Sequence, residues 1–445
     1  MTVSNQLFGE GVAVEIASGV IAHARRLGLT AAVGINAGEG FSLSVRNQAL
    51  ETLEHHRDKS LGVTVYQGFQ KGSASTTDFS PESLAETLAA AARIARFAES
   101  DPYAGLIAPS HLATEIPQLD LDHPWSIAID EATKIALACE EAARNAEREV
   151  DQVDDAGLSL YRGLHAYADT QGFVGSYIAT RHGLNCTVVG RRDGAMQRGY
   201  WYSTARNAGA LEDPVTLGQT ASARAVAKLG ARKLTTRKAP VLFEARIATG
   251  LIGHLVAAIS GGNLYREASF LRDAAGTQIL PSFLNIDEDP HLLRGLGSAP
   301  FDSEGAATIA RRLIDQGVLT GYVLDGYSAR RLKLPPTGNA GGIHNLVVSD
   351  QGADHDSLVR QMDTGLIVTD LMGFGVNLLT GDYSRGASGF WVERGAVAYP
   401  VEEITIAGTL REMFRAIVAT GTDRELRSSI ATGSILVAEM TIAGD

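Results

Sequence analysis

EARIATGLIGHLVAAISGG, residues 244–262, is the stretch on which the reading of the whole chain turns. Ile247, Leu251, Ile252, Leu255, Val256 and Ile259 recur at helical spacing, which predicts an α-helix. The Gly261-Gly262 pair is expected to stop it, because glycine takes up the left-handed conformation that many helix ends need. One ligand-capable side chain, His254, lies on this otherwise apolar helix. A zinc hydrolase built here would need a second histidine about one turn earlier, with a glutamate beside it as general base. Thr249 and Gly250 stand in those places. The segment has the setting of a metal-site helix without its donors. His254 alone reads as a ligand or as a buried histidine held by a carbonyl or carboxylate, and the missing companions favour the second.

Working outward, 445 residues suffice for two or three domains with substantial cores. The 48 glycines and only 6% aromatics favour strands and turns over long helical bundles. With 39 basic and 51 acidic residues the net charge is −12, a field that repels nucleic acid phosphates and anionic membranes. The one basic run, Arg232-Lys233 to Arg237-Lys238, reads as a solvated interdomain linker in preference to a phosphate patch. Cys139 and Cys186 show neither metal-ligand spacing nor a disulfide framework. The opening MTVSNQLFGEGVAVEIASGV is not a signal peptide, and no long apolar window spans a membrane, so a cytoplasmic protein is expected.

In chain order, residues 9–28 form an amphipathic helix with Val12, Val14, Ile16, Val20, Ile21 and Ala24 on its apolar face. Ala31–Ile35 and Phe41–Val45 read as two strands across a Gly38-Glu39-Gly40 turn, and Leu61–Phe69 as another strand. Ser80-Pro81 opens a helix with a serine cap and proline in the first turn. A proline-dotted connector follows, then helices near 125–150 and 215–229 flanking strands within 156–205. Ala239–Phe243 reads as a strand feeding the opening helix, and after Gly262 the chain reads mostly as short strands and glycine turns, with one helix at Arg411–Ala419 and a last strand at Ser434–Ile442. The expected class is α+β: an N-terminal α/β module (1–110) with antiparallel strands, a middle α/β segment (111–235), and a β-rich C-terminal domain (236–445) forming a curved sheet or half-barrel.

Other constellations are weak. His55-His56 point to opposite faces of a strand and make a poor ligand pair. Ser384 or Ser388 in GDYSRGASGFWVE, with His344 as base, outlines a nucleophile, yet glycine turns give the same pattern without chemistry. Thr337–Gly342 (TGNAGG) lacks the Lys-Ser/Thr pair of a phosphate loop and leads into a strand. Its glycines would instead let an extended peptide or a partner backbone come close. Asp325, Tyr327, Arg330 and Arg331 read as solvated loop residues in preference to ligands.

Several long segments carry a family resemblance: GLIGHLVAAISGG with NLYREASFLRDAAG, FDSEG, GVLTGYVLDGYSARRL, TGNAGGIHNL, GLIVTDLMGFGVN with GDYSRGASGFWVE, and PVEEITIAG. Through them the chain resembles the TldD/PmbA family, in its PmbA (TldE) branch. The resemblance implies a heterodimeric zinc metalloprotease in which a TldD-type partner carries the metal on a His-Glu-x-x-x-His helix with a later cysteine. Laid on this sequence, those groups fall at Thr249, Gly250 and His254, and near Ile430–Ser434, where there is no cysteine. No catalytic residue and no metal ligand are therefore expected in this chain, with zinc assigned to the partner. The role left is to form a chamber and bind unfolded peptide through strand edges. His254, Gly338, Asn339, Gly341, Gly342, His344, Asp382, Ser384 and Arg385 are the candidates for peptide or partner contact. Alone, the chain could homodimerise through its partner-facing surface. A stand-alone hydrolase and a regulatory binding protein (of gyrase or a toxin–antitoxin system) are the competing functions.

Overall fold

The computed structural model describes residues 9–444, which begin with helix α1 (Glu10–Arg26). Six antiparallel strands follow in the order β3-β2-β1-β4-β5-β6. They are β1 (Thr30–Arg46), β2 (Ala49–Gln67), β3 (Gln70–Thr76), β4 (Val150–Asp169), β5 (Val174–Arg192) and β6 (Ala195–Ala205). Strands on both sides of residue 110 thus share one sheet. Helices α2 (Pro81–Phe97), α3 (Ile129–Ala146) and α4 (Pro214–Ala227) join α1 on it. Ala31, Val33, Ile35 and Ala37 of β1 pack with α1 and α2, while Phe41, Leu43 and Val45 pack with α3 and α4. Residues of one parity share one face, so all four helices cover the same side of the sheet. On α1 the buried residues are Ala13, Ala17, Val20, Ile21 and Ala24; Val12, expected inside, is exposed.

Gly38-Glu39-Gly40 is not a turn, for β1 runs straight through it. A Cβ at Gly38 would collide with the Tyr161 ring, and one at Gly40 with the Leu160 carbonyl. These glycines thin the strand so that β4 can lie close. The reversal comes later, at Asn47-Gln48, where both φ values are positive (53° and 61°). Asp193-Gly194 reverses the chain between β5 and β6 in the same way, with φ of 51° and 83°. Two-residue turns of this hand match the twist of the strands they join. Ser80 caps α2 as expected, its hydroxyl accepting from the Ser83 amide.

In the remaining chain β7 (Arg237–Phe243) runs directly into α5 (Ala245–Ala258), followed by α6 (Gly261–Tyr265), β8 (Ile286–Asp289), β9 (Arg311–Asp315) and β10 (Val318–Leu319). Then come α7 (Gly326–Leu332), β11 (Asn345–Val348), α8 (His355–Met362), β12 (Gly365–Met372), β13 (Asp382–Glu393) and β14 (Ala396–Thr409). The last elements are α9 (Leu410–Arg415), β15 (Ile417–Thr420), β16 (Ile430–Ala431) and β17 (Ile435–Ala443). One sheet has the order β14-β13-β12-β7-β17-β15, and β14 also pairs with β17 through Ile406 and Ile442. The curved sheet expected from sequence therefore closes into a ring of five strands, which removes two open edges. A smaller sheet, β10-β9-β8-β11-β16, lies beside it. Ala248, Leu251, Ile252, Leu255 and Ala258 of α5 share one core with Val241, Phe243, Leu366, Ile404 and Ile435 of the ring.

Several expectations are corrected here. Helix α5 ends at Ala258 with Ile259 as its cap, and Gly261-Gly262 begin α6 instead of terminating α5. Gly261 is small because a Cβ there would collide with Ser328. Helices α7 and α8 lie where the sequence read as strands and turns; Asp325 and Asp354 cap them by accepting from Ser328 (2.7 Å) and Ser357 (2.8 Å). The helix expected at 411–419 is confined to α9, and β15 takes up the rest. Arg330 is no solvated loop residue: its guanidinium donates to the carbonyls of Tyr103, Gly105 and Leu106, and the Tyr327 hydroxyl donates to Asp101. Nor is the basic run a free linker. Arg232 lies over Tyr399, Arg237 over Trp391, Lys233 pairs with Glu403 and Lys238 with Glu439. No helix among the described residues is long and apolar enough to cross a membrane.

Candidate functional site

The apolar stripe that anchors α5 in the core turns His254 toward β13. Along β13 exposure alternates: Asp382 and Ser384 face outward, while Tyr383 and Ala387 are buried and Arg385 is half-buried on their side. The His254 and Tyr383 rings meet edge to face, with centroids 6.0 Å apart at 72°. Burial, reinforced by the positive charge of Arg385, holds His254 below the ordinary histidine range, so it is neutral at pH 7. Burial pushes Tyr383 up to about 12. None of these three side chains makes a hydrogen bond or ion pair with another described residue, and the Arg385 Nε is buried without a partner. The expectation that a carbonyl or carboxylate holds His254 is therefore corrected: an aromatic edge does.

A structural or catalytic zinc needs three or four donors. Among the described residues no group of three or more His, Cys, Asp or Glu is placed to hold a metal. On α5 the Thr249 hydroxyl donates back to the Arg246 carbonyl (2.7 Å), and Gly250 is exposed with open space at its Cβ position. Residues 430–434 bring only the aliphatic and hydroxyl groups of Ile430, Ala431, Thr432, Gly433 and Ser434. The guanidinium beside His254 also repels a dication. These residues do not fit zinc.

The glycine-rich candidates lie in the loop that leads into β11 of the smaller sheet and serve the chain itself. Glu288, 1% exposed, accepts from Arg311 Nε (2.7 Å), Asn339 Nδ2 (2.8 Å) and the His344 amide (2.8 Å). Asn339 Oδ1 accepts from Arg311 and Thr337. His344 is buried, with Nε2 against the Gly338 carbonyl (2.9 Å) and Nδ1 against that of Gly297 (3.3 Å). Gly338 has φ of 70°, and a Cβ there would strike the Ala307 carbonyl; one at Gly341 would press on Ser303. Gly341 and Gly342 are exposed, and only Gly342 has open space around it. On β13, Gly389 is likewise filled by the Ile367 carbonyl. The close approach promised by these glycines is thus made by neighbouring strands and loops.

Ser384 and His344 do not form a nucleophile–base pair: no hydrogen bond joins them, and His344 stands beside β11 of the other sheet with its ring nitrogens facing the carbonyls of Gly338 and Gly297. Ser384 is exposed and its amide bonds to Gly375, while the Asp382 carboxylate accepts from Thr380. A Ser434–His355–Asp423 contact exists, but Ser434 is fully buried and its hydroxyl donates to Asp423 at 2.7 Å, which makes it a strut. Cys139 and Cys186 meet in the core, where the neighbouring thiol and burial both push Cys186 upward and leave it unreactive.

Sequence reasoning missed two features. A groove of about 720 Å³ runs between the end of β6 (Thr204, Ala205) and β11 with β16 (Leu346, Val347, Ala431). β6 and β16 are each the outermost strand of their sheets, and Leu293 (65%) and Leu426 (70%) are exposed along the groove. The other is an ion-pair lattice at the start of α5. Arg224 forks onto Glu244 (2.7 and 2.8 Å), Lys228 reaches Asp370 (2.8 Å), and Arg427 pairs with Glu425 while lying over Trp201. No short motif marks either feature, because each is assembled from distant segments.

Comparison with known proteins agrees with this geometry. Three models of the PmbA/TldA metallopeptidase family match: domain 1 over residues 31–95, the central domain over 122–229 and the C-terminal domain over 236–444. Metalloprotease PmbA of Escherichia coli O157:H7 is 46% identical over 93% of this chain and 92% of its own. The crystal structure of a protein described as a candidate modulator of DNA gyrase, from Bacteroides thetaiotaomicron, superposes with a TM-score of 0.93 at 26% identity, covering 99% of this chain and 100% of that one. TldE from Thermococcus kodakarensis shares the fold, with a TM-score of 0.84 at 19% identity over 96% of this chain and 100% of its own. With its three domains matched and almost half its residues shared with PmbA, this chain belongs to the PmbA/TldD metallopeptidase family, in the PmbA (TldE) branch.

Proposed function

We propose that this chain is the non-catalytic subunit of a two-subunit zinc metalloprotease, pairing with a TldD-type subunit that holds the metal. The carrying observation is α5: the helix is built into the core as a metal-site helix would be, yet it offers Thr249, Gly250 and a lone His254 with a guanidinium beside it. The chain's share of the work is then to wall the chamber and hold unfolded peptide. The groove between β6 and β16 supports this, since strand edges bind an extended backbone by hydrogen bonds that tolerate any sequence.

Metal analysis of the purified chain, alone and with a TldD-type subunit, paired with cleavage of an unfolded peptide, tests the reading. The lone chain should carry far less than one zinc and cleave nothing; the pair should carry zinc and cleave. Stoichiometric zinc and chelator-sensitive cleavage by the lone chain would overturn it. Cleavage by the partner that is indifferent to this chain would instead favour a separate regulatory role.

A further inference from the structure

The half-buried arginines of this chain mostly find acceptors within it, either carboxylates or, for Arg206 and Arg330, backbone carbonyls. Arg162 pairs with Asp122 at 2.6 Å, Arg224 with Glu244 at 2.7 Å, Arg311 with Glu288 at 2.7 Å, and Arg427 with Glu425. Arg385 departs from the pattern: its Nε is buried, and no acid or carbonyl among the described residues accepts from any part of its guanidinium. A half-buried cation with its inner donor unbonded and its outer nitrogens open is suited to an anion from outside. Two further polar groups, the His254 imidazole and the Tyr383 hydroxyl, stand next to it without partners.

We infer that Arg385, with His254 and Tyr383 beside it, is a receptor for a carboxylate of the bound peptide. The inference rests on the peptide-binding role proposed above and names the chemistry of one contact. A guanidinium presents two parallel N–H donors that match a carboxylate, and a phenol and a neutral imidazole can complete its coordination. One cation balances one negative charge, which suits a carboxylate better than a doubly charged phosphate. The surroundings suit a peptide: the β12–β13 loop pairs back onto β13, with Gly375 accepting from the Ser384 amide, and the end of β12 with this loop displays Met372 (55% exposed), Phe374 (100%) and Leu379 (57%). A charged anchor beside an apolar rim fits a chain terminus, or an acidic side chain, flanked by apolar residues.

The test uses the complex with a TldD-type subunit and three fluorescein-labelled peptides of otherwise neutral residues: a free C-terminal acid, its amide, and the amide with one internal glutamate. The free acid should bind about ten-fold or more tightly than the amide, and Arg385→Met should erase that difference. Recovery of affinity by the glutamate peptide, again lost in Arg385→Met, would place an acidic side chain at the site and equally support the inference. Arg385→Lys, which keeps the charge but not the fork, should restore part of the preference and controls for folding. Equal binding of the three peptides to the wild-type complex, or a preference that survives Arg385→Met, would overturn it. So would loss of subunit assembly in Arg385→Met with peptide preference intact in the lone chain, because the carboxylate would then be the partner's. A complex that cleaves peptide normally yet fails these comparisons sinks this contact alone; a lone chain that binds zinc and cleaves sinks the reading beneath it.

Discussion

Two polar clusters of the C-terminal region make opposite use of a buried charge. Around Glu288 every group is answered: Arg311, Asn339 and the His344 amide all converge on one carboxylate. Around Arg385 nothing among the described residues answers. The first arrangement is what low dielectric demands of a structural element, since a half-satisfied buried network is worse than an apolar one. The second keeps its cost unrelieved, which is tolerable where a ligand or partner supplies the missing group. Completeness of pairing thus separates strut from receptor more sharply than residue type does.

The largest effect should come from breaking the satisfied cluster. Glu288→Ala leaves Arg311 buried without its acid and should destabilise the chain by about 3–5 kcal/mol in denaturant titration. Gly338→Ala adds strain at φ 70° and a clash with Ala307, for a loss of about 1–3 kcal/mol by the same measurement. A third group sharpens the contrast. Glu304 accepts from the Gly326 amide, and burial first, then the charges of Asp302 and Asp325, push it from 4.5 up to about 7. Its folded value lies above its unfolded one, so its contribution is full below pH 4.5 and is lost as pH rises through about 7. Melting temperatures across that window should fall more in the wild type than in Glu304→Gln. Depressed histidines such as His254 act in the opposite sense below their ordinary range, so the difference between the two curves is the informative quantity.

At the unsatisfied cluster, removal should cost almost nothing. Arg385→Met should leave stability within about 0.5 kcal/mol of wild type or raise it, because it deletes an unpaired buried donor. Smallest of all, His254→Ala should not change the zinc content of the two-subunit complex in elemental analysis.

Long periodic elements were legible in the residues: α2 through its Ser80-Pro81 start, α4 and α5 through their apolar stripes. Glycine misled twice, at Gly38–Gly40 and at Gly261-Gly262, because a missing side chain signals close packing as often as it signals a turn. Helices α7 and α8 leave little trace in the sequence because each is about two turns long, with an Asp-x-x-Ser cap as its main local signal. His254 and Arg385 were both singled out, but Tyr383 and their convergence were not, since a helix and a strand more than a hundred residues apart meet only in the folded state. Glu288 and Arg311 carried no local signature at all.

The closing of the five-strand ring has a kinetic corollary. Its seam is sewn by β17, which takes its place between β7 and β14, although some two hundred positions separate it from β7. A nascent chain that has emerged only as far as α5 has no finished wall against which to bury that helix. Assembly of this half must wait for synthesis to pass residue 443, and until then a chaperone, or the finished sheet upstream, has to shield its oily surface from other growing chains.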